Sequence, residues 1–465
     1  MAAKQAGGGF WSIAASRWRG AGDAGVAPTG ARVSDTTEAP DDPSSEVDHL
    51  AALSSAARAA RVMARCDELG SFTEEPGRIT RPYGTPAMTT ARDTVARWMR
   101  DAGMDVRVDA VGDLRGRVEG TGTDAPALLL GSHLDSVRDA GRYDGPLGIL
   151  VAIEAVERLQ SGANGLPFPI EVLAFADEEG LRFQTTYLGS CALAGAFDPA
   201  FLDLLDADGV TLREAMSVFG GDPDAVAGAA LRPAEAFGYV EVHIEQGPYL
   251  ESVGAPVGVV TAISGQSRIL AAFSGEAGHA GTVAMHLRRD PLPAAAKVVL
   301  AAEELARQTA GLLATVGTIE AVPGASNVIP GQVHYSLDVR HPNDGVRKDA
   351  VQTLERRVGE IAVARSLGVE WRVARDHPAV PCDAALTNRL GDAIAAAGLP
   401  VEHLPSGAGH DAVVMSEVVP VAMLFVRCAG GVSHHPAESV TADDVGVAID
   451  VLDRFLDALA NEKRR

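Results

Sequence analysis

Residues 125–160 read APALLLGSHLDSVRDAGRYDGPLGILVAIEAVERLQ, and the change of pattern along this stretch decides the fold. Residues 125–130 form an apolar run without alternation, as expected of a strand covered on both faces. A polar loop holding His133, Asp135 and Asp144 follows, and residues 148–160 then carry helical apolar spacing. Strand, polar loop and helix in that order make the half-unit of a parallel α/β sheet. The pattern recurs outward along the chain. Residues 169–175 end in DEEG and residues 238–244 end in EQGP. A helix-like AVVMSEV follows Asp411 and precedes a buried strand at 419–426, and residues 442–460 close the chain as an amphipathic helix. The expected fold class is therefore α/β, a mixed, mainly parallel sheet sandwiched by helices.

The middle of the chain reads differently. Strand-like segments at 268–273, 313–319, 332–339 and 368–373 interleave with helical stretches at 292–309 and 346–367. This is a two-layer α+β domain inserted into the larger unit. The expected organisation is a disordered tail at 1–46, a first catalytic part at 47–253, an inserted domain at 254–373 and a second catalytic part at 374–465. Helical spacing of Ala, Leu and Arg marks the start of order near Val47.

Composition narrows the function. The chain has 465 residues, 40 basic and 62 acidic, for a net charge of −22. That balance argues against nucleic acid or an anionic membrane as the main partner, while leaving room for an anionic small substrate held by a few arginines. Apolar residues make up 46% of the chain, enough for substantial cores. The longest apolar stretch, 418–426, is far short of the ~20 residues that span a bilayer. Cys66, Cys191, Cys382 and Cys428 lie far apart with no C-x-x-C spacing, which fits a soluble protein of a reducing cytoplasm rather than a disulfide framework or a thiolate zinc site. Residues 1–22 hold no acid, so a transit peptide stands beside a disordered extension as a reading of the tail.

Polar clusters sit where four apolar runs stop. GSHLDSVRDAGRYDGPLG offers His133, Asp135 and Asp144; FADEEGLRF offers Asp177, Glu178 and Glu179. EVHIEQGP offers His243, Glu245 and Gln246, and AGGVSHHPAE offers His434, His435 and Glu438. Ligand crevices of open α/β sheets lie at the carboxyl ends of the strands. Imidazole and carboxylate without thiolate suit Zn²⁺, Mn²⁺ or Co²⁺ in a catalytic site. Three histidines and two carboxylates are too many for one tetrahedral ion, but fit two ions sharing a carboxylate, which together lower the pKa of a water and stabilise an oxyanion. Glu178 and Glu179 supply a ligand and a non-ligating base side by side. Asp135, two residues beyond His133 on an extended chain, lies on the same side and is placed to orient the imidazole. Singly, each residue reads as a satisfied strand-end histidine or a solvated acidic turn; four complementary clusters after four buried strands do not.

These residues also carry a resemblance. From about Val47 onward the chain resembles the di-metal amidohydrolase branch of the aminoacylase and aminopeptidase superfamily. Within it, the chain is similar to the allantoate amidohydrolases and their relatives, the N-carbamoyl-L-amino-acid hydrolases, β-ureidopropionases and ureidoglycolate amidohydrolases. The resemblance implies two divalent ions per subunit, Mn²⁺ or Zn²⁺, one held by His133, Asp144 and His243 and the other by Asp144, Glu179 and His434. It implies Glu178 as general base, Asp135 as support for His133, and His434 rather than His435 from the Ser-His-x-Pro pattern. The insertion resembles a lid and dimerisation domain, implying a homodimer in which His279 of HAGT reaches the partner's active site and stabilises the oxyanion. Asn327 of GASNVIPG, Arg340 of SLDVRHP and Arg268 of SGQSR then look like contacts to a substrate carboxylate and ureido group, with Gln246 lining the pocket and Gln266 beside Arg268. GAGHDA, with His410 and Asp411, is a family feature expected near the pocket mouth. GTVAM after His279 lacks the usual proline, which leaves the stiffness of that loop open.

The implied activity is hydrolysis of a ureido C–N bond, with allantoate converted to ureidoglycine, carbon dioxide and ammonia in purine catabolism. The alternatives are an N-carbamoyl-L-amino-acid hydrolase, a β-ureidopropionase or a ureidoglycolate amidohydrolase. From another class comes a silent small-molecule binding protein, which the presence of Glu178 beside all five donors disfavours.

Overall fold

The computed structural model describes residues 54–122, 125–161, 166–232 and 234–463. The expected tail at 1–46 and the expected onset of order at Val47 lie outside these residues. The first described helix, Ser55–Gly70, is capped by Ser54, whose hydroxyl accepts the Ala57 amide at 3.3 Å.

In chain order the strands are β1 (Asp105–Val108), β2 (Leu114–Val118), β3 (Ala127–His133), β4 (Ile170–Phe175), β5 (Ala236–Ile244), β6 (Val257–Ile263), β7 (Gly265–Ser274), β8 (Gly278–His279), β9 (Leu313–Val322), β10 (Val328–Ile329), β11 (Gln332–His341), β12 (Gly368–His377), β13 (Val380–Pro381), β14 (His403–Ser406) and β15 (Val421–Val426). Nine of them form one sheet in the order β1-β2-β4-β3-β5-β15-β6-β13, with β14 beside β6. The central strands β4, β3, β5 and β15 run parallel, and antiparallel partners flank them.

Alternate residues of the central strands feed two cores. Leu128, Leu130, Val172, Val242 and Leu424 point to one face, where helices Pro146–Ser161 and Ala442–Lys463 pack. Leu129, Leu173, Tyr239 and Phe425 point to the other. Both faces are dry, so the strands read as unbroken apolar runs in the sequence. The strands point their carboxyl ends, and so His133, Phe175 and Ile244, the same way.

The insertion is a four-stranded antiparallel sheet, β12-β7-β11-β9, with helices Leu292–Gln308 and Asp344–Ala364 on one face. Ile269, Phe273, Leu337 and Val339 pack beneath the helices. The chain passes from one sheet to the other at Ser264 and again after His377, rather than at residues 254 and 373. The reason is that β6, which the sequence reading did not mark as a strand, pairs with β15 in the large sheet. Strands β1 and β2 and helix Pro86–Asp101 were not anticipated, although Thr85 as N-cap with Pro86 behind it is a helix-start signal.

Candidate functional site

The polar ends of β3, β4 and β5 and the loop after β15 meet. One ring nitrogen or carboxylate oxygen from each of His133, Asp144 and His243 lies within 4.8 Å of the others, and the same holds for Asp144, Glu179 and His434. His133 Nε2 and His243 Nε2 face each other at 3.4 Å, with Asp144 Oδ1 at 3.8 Å and 3.2 Å from them. Asp144 Oδ2 is 3.2 Å from His434 Nε2, which is 3.3 Å from Glu179 Oε1. Asp144 therefore stands between two donor groups, one oxygen to each.

Local structure turns these atoms inward. His243 Nδ1 donates to the Ile244 carbonyl at 2.9 Å, which leaves Nε2 bare toward the cluster. His133 Nδ1 is turned to Asp135, 3.5 Å from Oδ1 and 3.3 Å from the carbonyl. Gly145, with φ +87°, follows Asp144, and a Cβ there would lie 2.5 Å from the His133 ring. Glycine is thus required both for the backbone turn and for the imidazole's place. His434 and Gln246 hold left-handed backbones, φ +54° and +56°, a cost that non-glycine residues bear mostly at functional sites.

Asp135 does more than the sequence reading assigned it. Fully buried, it accepts the Glu178 amide on Oδ1 at 3.0 Å and the Glu179 amide on Oδ2 at 3.1 Å. One carboxylate thus orients an imidazole and the peptide that carries both glutamates. Glu178 places a carboxylate oxygen within 4.8 Å of donors of His133 and Glu179. Burial, with further repulsion from Glu179, Asp411 and Asp135, pushes its carboxyl well above the usual range against the pull of His133.

The electrostatics favour a cation. Asp135, Asp144, Asp177, Glu178, Glu241 and Asp411 are all buried in this region. Buried Arg81 spends its nitrogens on the carbonyls of Leu134, Leu69 and Phe72. Burial disfavours charge on His133 and His243, yet the surrounding carboxylates outweigh it and hold both imidazoles above their usual range. Burial pushes Glu179 up to about 7, and the bond to Asp144 lifts His434 to about 9. Nitrogen and oxygen donors converging in a field this negative fit divalent ions of the Zn²⁺ or Mn²⁺ kind, and the shared Asp144 fits two of them.

The remaining expected residues are placed as follows. Gln246 is not a bystander of the pocket wall: its Nε2 donates to Asp144 Oδ1 at 3.0 Å and lies 3.4 Å from His434 Nε2. Arg340, on β11, grips Asp338 through Nε at 2.8 Å and Nη2 at 3.3 Å, and donates Nη1 to the Gly407 carbonyl at 2.6 Å. Gln266 donates to Asp338 at 2.5 Å, and Arg268 lies 3.5 Å from it. Arg340, Arg268 and Gln266 thus share one internal carboxylate on the helix-free face of the insertion.

His279 and Asn327 are exposed and adjoin each other, the Ala280 amide donating to the Asn327 carbonyl at 2.9 Å. His279 Nδ1 accepts the Gly281 amide at 3.0 Å, so the neutral ring carries its proton on Nε2. The loop after it is held without the missing proline: Arg288 donates to the Val283 carbonyl at 3.0 Å and the Ala280 carbonyl at 2.6 Å.

One expectation is corrected. His410 and Asp411 are buried rather than at a pocket mouth, because the His410 ring packs edge-on against His243 at 4.6 Å and bonds Ser406 at 2.8 Å. In the glycine-rich turn there, the Gly407 carbonyl accepts from Arg340.

Glu438 was named within its cluster without a role. Its Oε1 accepts the amides of Tyr143 at 2.9 Å and Asp144 at 3.1 Å, and its Oε2 accepts Ser433 Oγ at 2.9 Å. It therefore positions Asp144. Glu245 instead caps the short helix behind it through the Tyr249 and Leu250 amides, and His435 Nδ1 accepts the Ala437 amide.

Comparison with known proteins adds four findings. Residues 129–458 match the model of peptidase family M20/M25/M40. A probable allantoate deiminase of Oryza sativa subsp. japonica is 42% identical over 432 residues, 84% of this chain and 87% of that protein. An N-carbamoyl-L-amino acid amidohydrolase of Geobacillus stearothermophilus is 42% identical over 393 residues, 84% of this chain and 96% of that protein. Among solved structures, that of an amidase of the hydantoinase/carbamoylase family from Burkholderia multivorans superposes with a TM-score of 0.82 at 32% identity, covering 86% of this chain and 98% of that one.

Proposed function

The chain belongs to the M20/M25/M40 peptidase family, and from that premise we propose that it is a metal-dependent amidohydrolase cleaving the ureido C–N bond of allantoate, with ureidoglycine, carbon dioxide and ammonia as products. One observation carries the reading: Asp144 divides its two oxygens between a pair of buried imidazoles and a Glu179–His434 pair, with Glu178 beside them.

His133, Asp144 and His243 would hold one divalent ion and Asp144, Glu179 and His434 a second, either Mn²⁺ or Zn²⁺. When bound, such ions polarise a carbonyl and lower the pKa of water. Glu178 takes the proton of the attacking water and delivers it to the leaving nitrogen. Asp135 keeps Glu178 aimed by holding its amide. Arg340 and Arg268 bind the substrate carboxylate, since a guanidinium fork matches it in shape and charge, and Asn327 reads the ureido group.

His279 donates its Nε2 proton to the developing oxyanion of the partner's site in a homodimer formed through the insertion. The exposed Leu313 and Ile319 of edge strand β9 support that pairing. A reaction step in purine breakdown within the cytoplasm fits unpaired thiols at Cys66, Cys191, Cys382 and Cys428.

A second reading, hydrolysis of N-carbamoyl-L-amino acids, rests on the equal identity of the Geobacillus relative. The protein reconstituted with Mn²⁺ is expected to release ammonia from allantoate faster than from N-carbamoyl-alanine; the reverse ranking replaces the first reading by the second. Full activity in a Glu178→Gln variant would remove Glu178 from the mechanism.

A further inference from the structure

A groove of about 1300 Å³ lies along the edge of the nine-stranded sheet, lined by β1, β2, Glu171 of β4 and residues 225–232. Arg107 and Arg115 stand directly opposite each other across β1 and β2, and Arg117 follows on the same face opposite Glu171. All three guanidinia converge on this one carboxylate. Arg115 Nε is 2.6 Å and Arg107 Nη2 3.3 Å from Oε1, and Arg117 Nη1 is 3.6 Å from Oε2. The Glu171 and Arg115 side chains are only 3% and 8% exposed.

A single carboxylate cannot satisfy three planar forks. Arg115 spends only Nε on it, and its Nη groups, without a partner among the described residues, reach solvent. Arg107 uses one nitrogen of three, while Arg117 gives its others to Glu119. Of the other acids of the groove, Asp109 keeps one buried oxygen, Oδ2, without a partner, and the rest are paired or peripheral. Glu235 pairs with Arg232, Asp109 Oδ1 accepts the Val111 and Asp113 amides of its own turn, and Asp105 is exposed.

Like charges directly opposite in a strand pair destabilise it, and guanidinium N–H groups that open to the groove without a protein acceptor are free to take one from a ligand. An oxyanion set against Arg107 and Arg115 would supply the missing acceptors and relieve the repulsion. We propose that this groove binds a small oxyanion, a phosphate or carboxylate group, at a site separate from the donor cluster at the strands' carboxyl ends.

The test is calorimetric titration of the metal-loaded protein with inorganic phosphate and, separately, succinate. Wild type, Arg107→Gln and Glu171→Gln are compared. Saturable binding is expected, weakened about ten-fold in Arg107→Gln by loss of one charge-assisted hydrogen bond and tightened in Glu171→Gln, which removes the competing carboxylate. A response to phosphate alone assigns a phosphate-bearing ligand, and one to succinate a carboxylate. Binding of neither anion, or binding indifferent to the substitutions, overturns the proposal. Should Glu171→Gln fail to fold, Arg107→Gln decides alone, since the Arg107 side chain is 63% exposed and its loss leaves the core intact.

Discussion

Replacing Asp135 by Asn changes one atom of a fully buried side chain and tests the centre of the site. Both carboxylate oxygens of Asp135 are in use, Oδ1 by the Glu178 amide at 3.0 Å and Oδ2 by the Glu179 amide at 3.1 Å. Asparagine has one acceptor oxygen, so one of these amides must face an NH₂ group. An unsatisfied buried amide costs about 1–3 kcal/mol, which is the expected loss of folding stability. The His133 imidazole, 3.5 Å from Oδ1, also loses an anionic partner for its Nδ1. Removing such a support behind a metal ligand costs about 10–100-fold in metal affinity, or about 1.4–2.7 kcal/mol. Chelator competition on the purified variant reads the affinity, thermal melting reads the stability, and steady-state kinetics read kcat. The peptide that aims Glu178 shifts while the substrate contacts proposed for the insertion stay, so kcat should fall with KM little changed. Wild-type metal affinity and kcat in Asp135→Asn would refute this reasoning.

Glu438→Ala leaves the Tyr143 and Asp144 amides without their acceptor and should weaken metal binding at least as much as Asp135→Asn, read by the same competition; unchanged affinity would deny Glu438 its hold on Asp144. Arg340→Lys cannot span both Asp338 and the Gly407 carbonyl, so KM for an anionic ureido substrate should rise about 10–100-fold with a smaller change in kcat, as a steady-state series would record. Glu171 supplies a pH test. Burial raises its pKa, but Arg115, Arg107 and their hydrogen bonds outweigh that and hold it below the ordinary value of 4.5. A depressed carboxylate stabilises the fold above its unfolded pKa and loses that contribution as pH falls through the folded value. The stability gap between wild type and Glu171→Gln should therefore be full at pH 7 and close below about pH 4 in denaturant titrations; a pH-independent gap would mean that packing, not charge, sets it.

Much of the fold was legible because its signals are local. The parallel centre announces itself at residues 125–130, 169–175 and 419–426 by runs that both faces of the sheet must cover. Strands β1 and β2 escaped because DVRV and LRGRV alternate charge with apolar residues at a sheet edge, where a solvated loop reads the same way. Strand β6 fell inside the segment expected to be the insertion and was not marked there as a strand, and nothing in VGVVTAI specifies that Val426 will be its neighbour. The donor clusters were legible by residue type and by their place after buried runs. Glu438 was visible in AGGVSHHPAE, yet its partners, the amides of Tyr143 and Asp144, are nearly 300 positions away.

The sequence by itself determined which chemistry was on offer: imidazoles and carboxylates without thiolates, set after dry strands, and arginines enough to hold an anion. Residue type and periodicity are properties of a short stretch of chain, so they survive without coordinates. Only the tertiary structure decided that Asp144 splits its oxygens between two donor groups, that Asp135 holds the Glu178 and Glu179 amides together, and that Arg340, Arg268 and Gln266 meet on Asp338. Those are relations among atoms far apart in sequence, and the packing of strands and helices, which no local pattern encodes, is what brings them within hydrogen-bond reach.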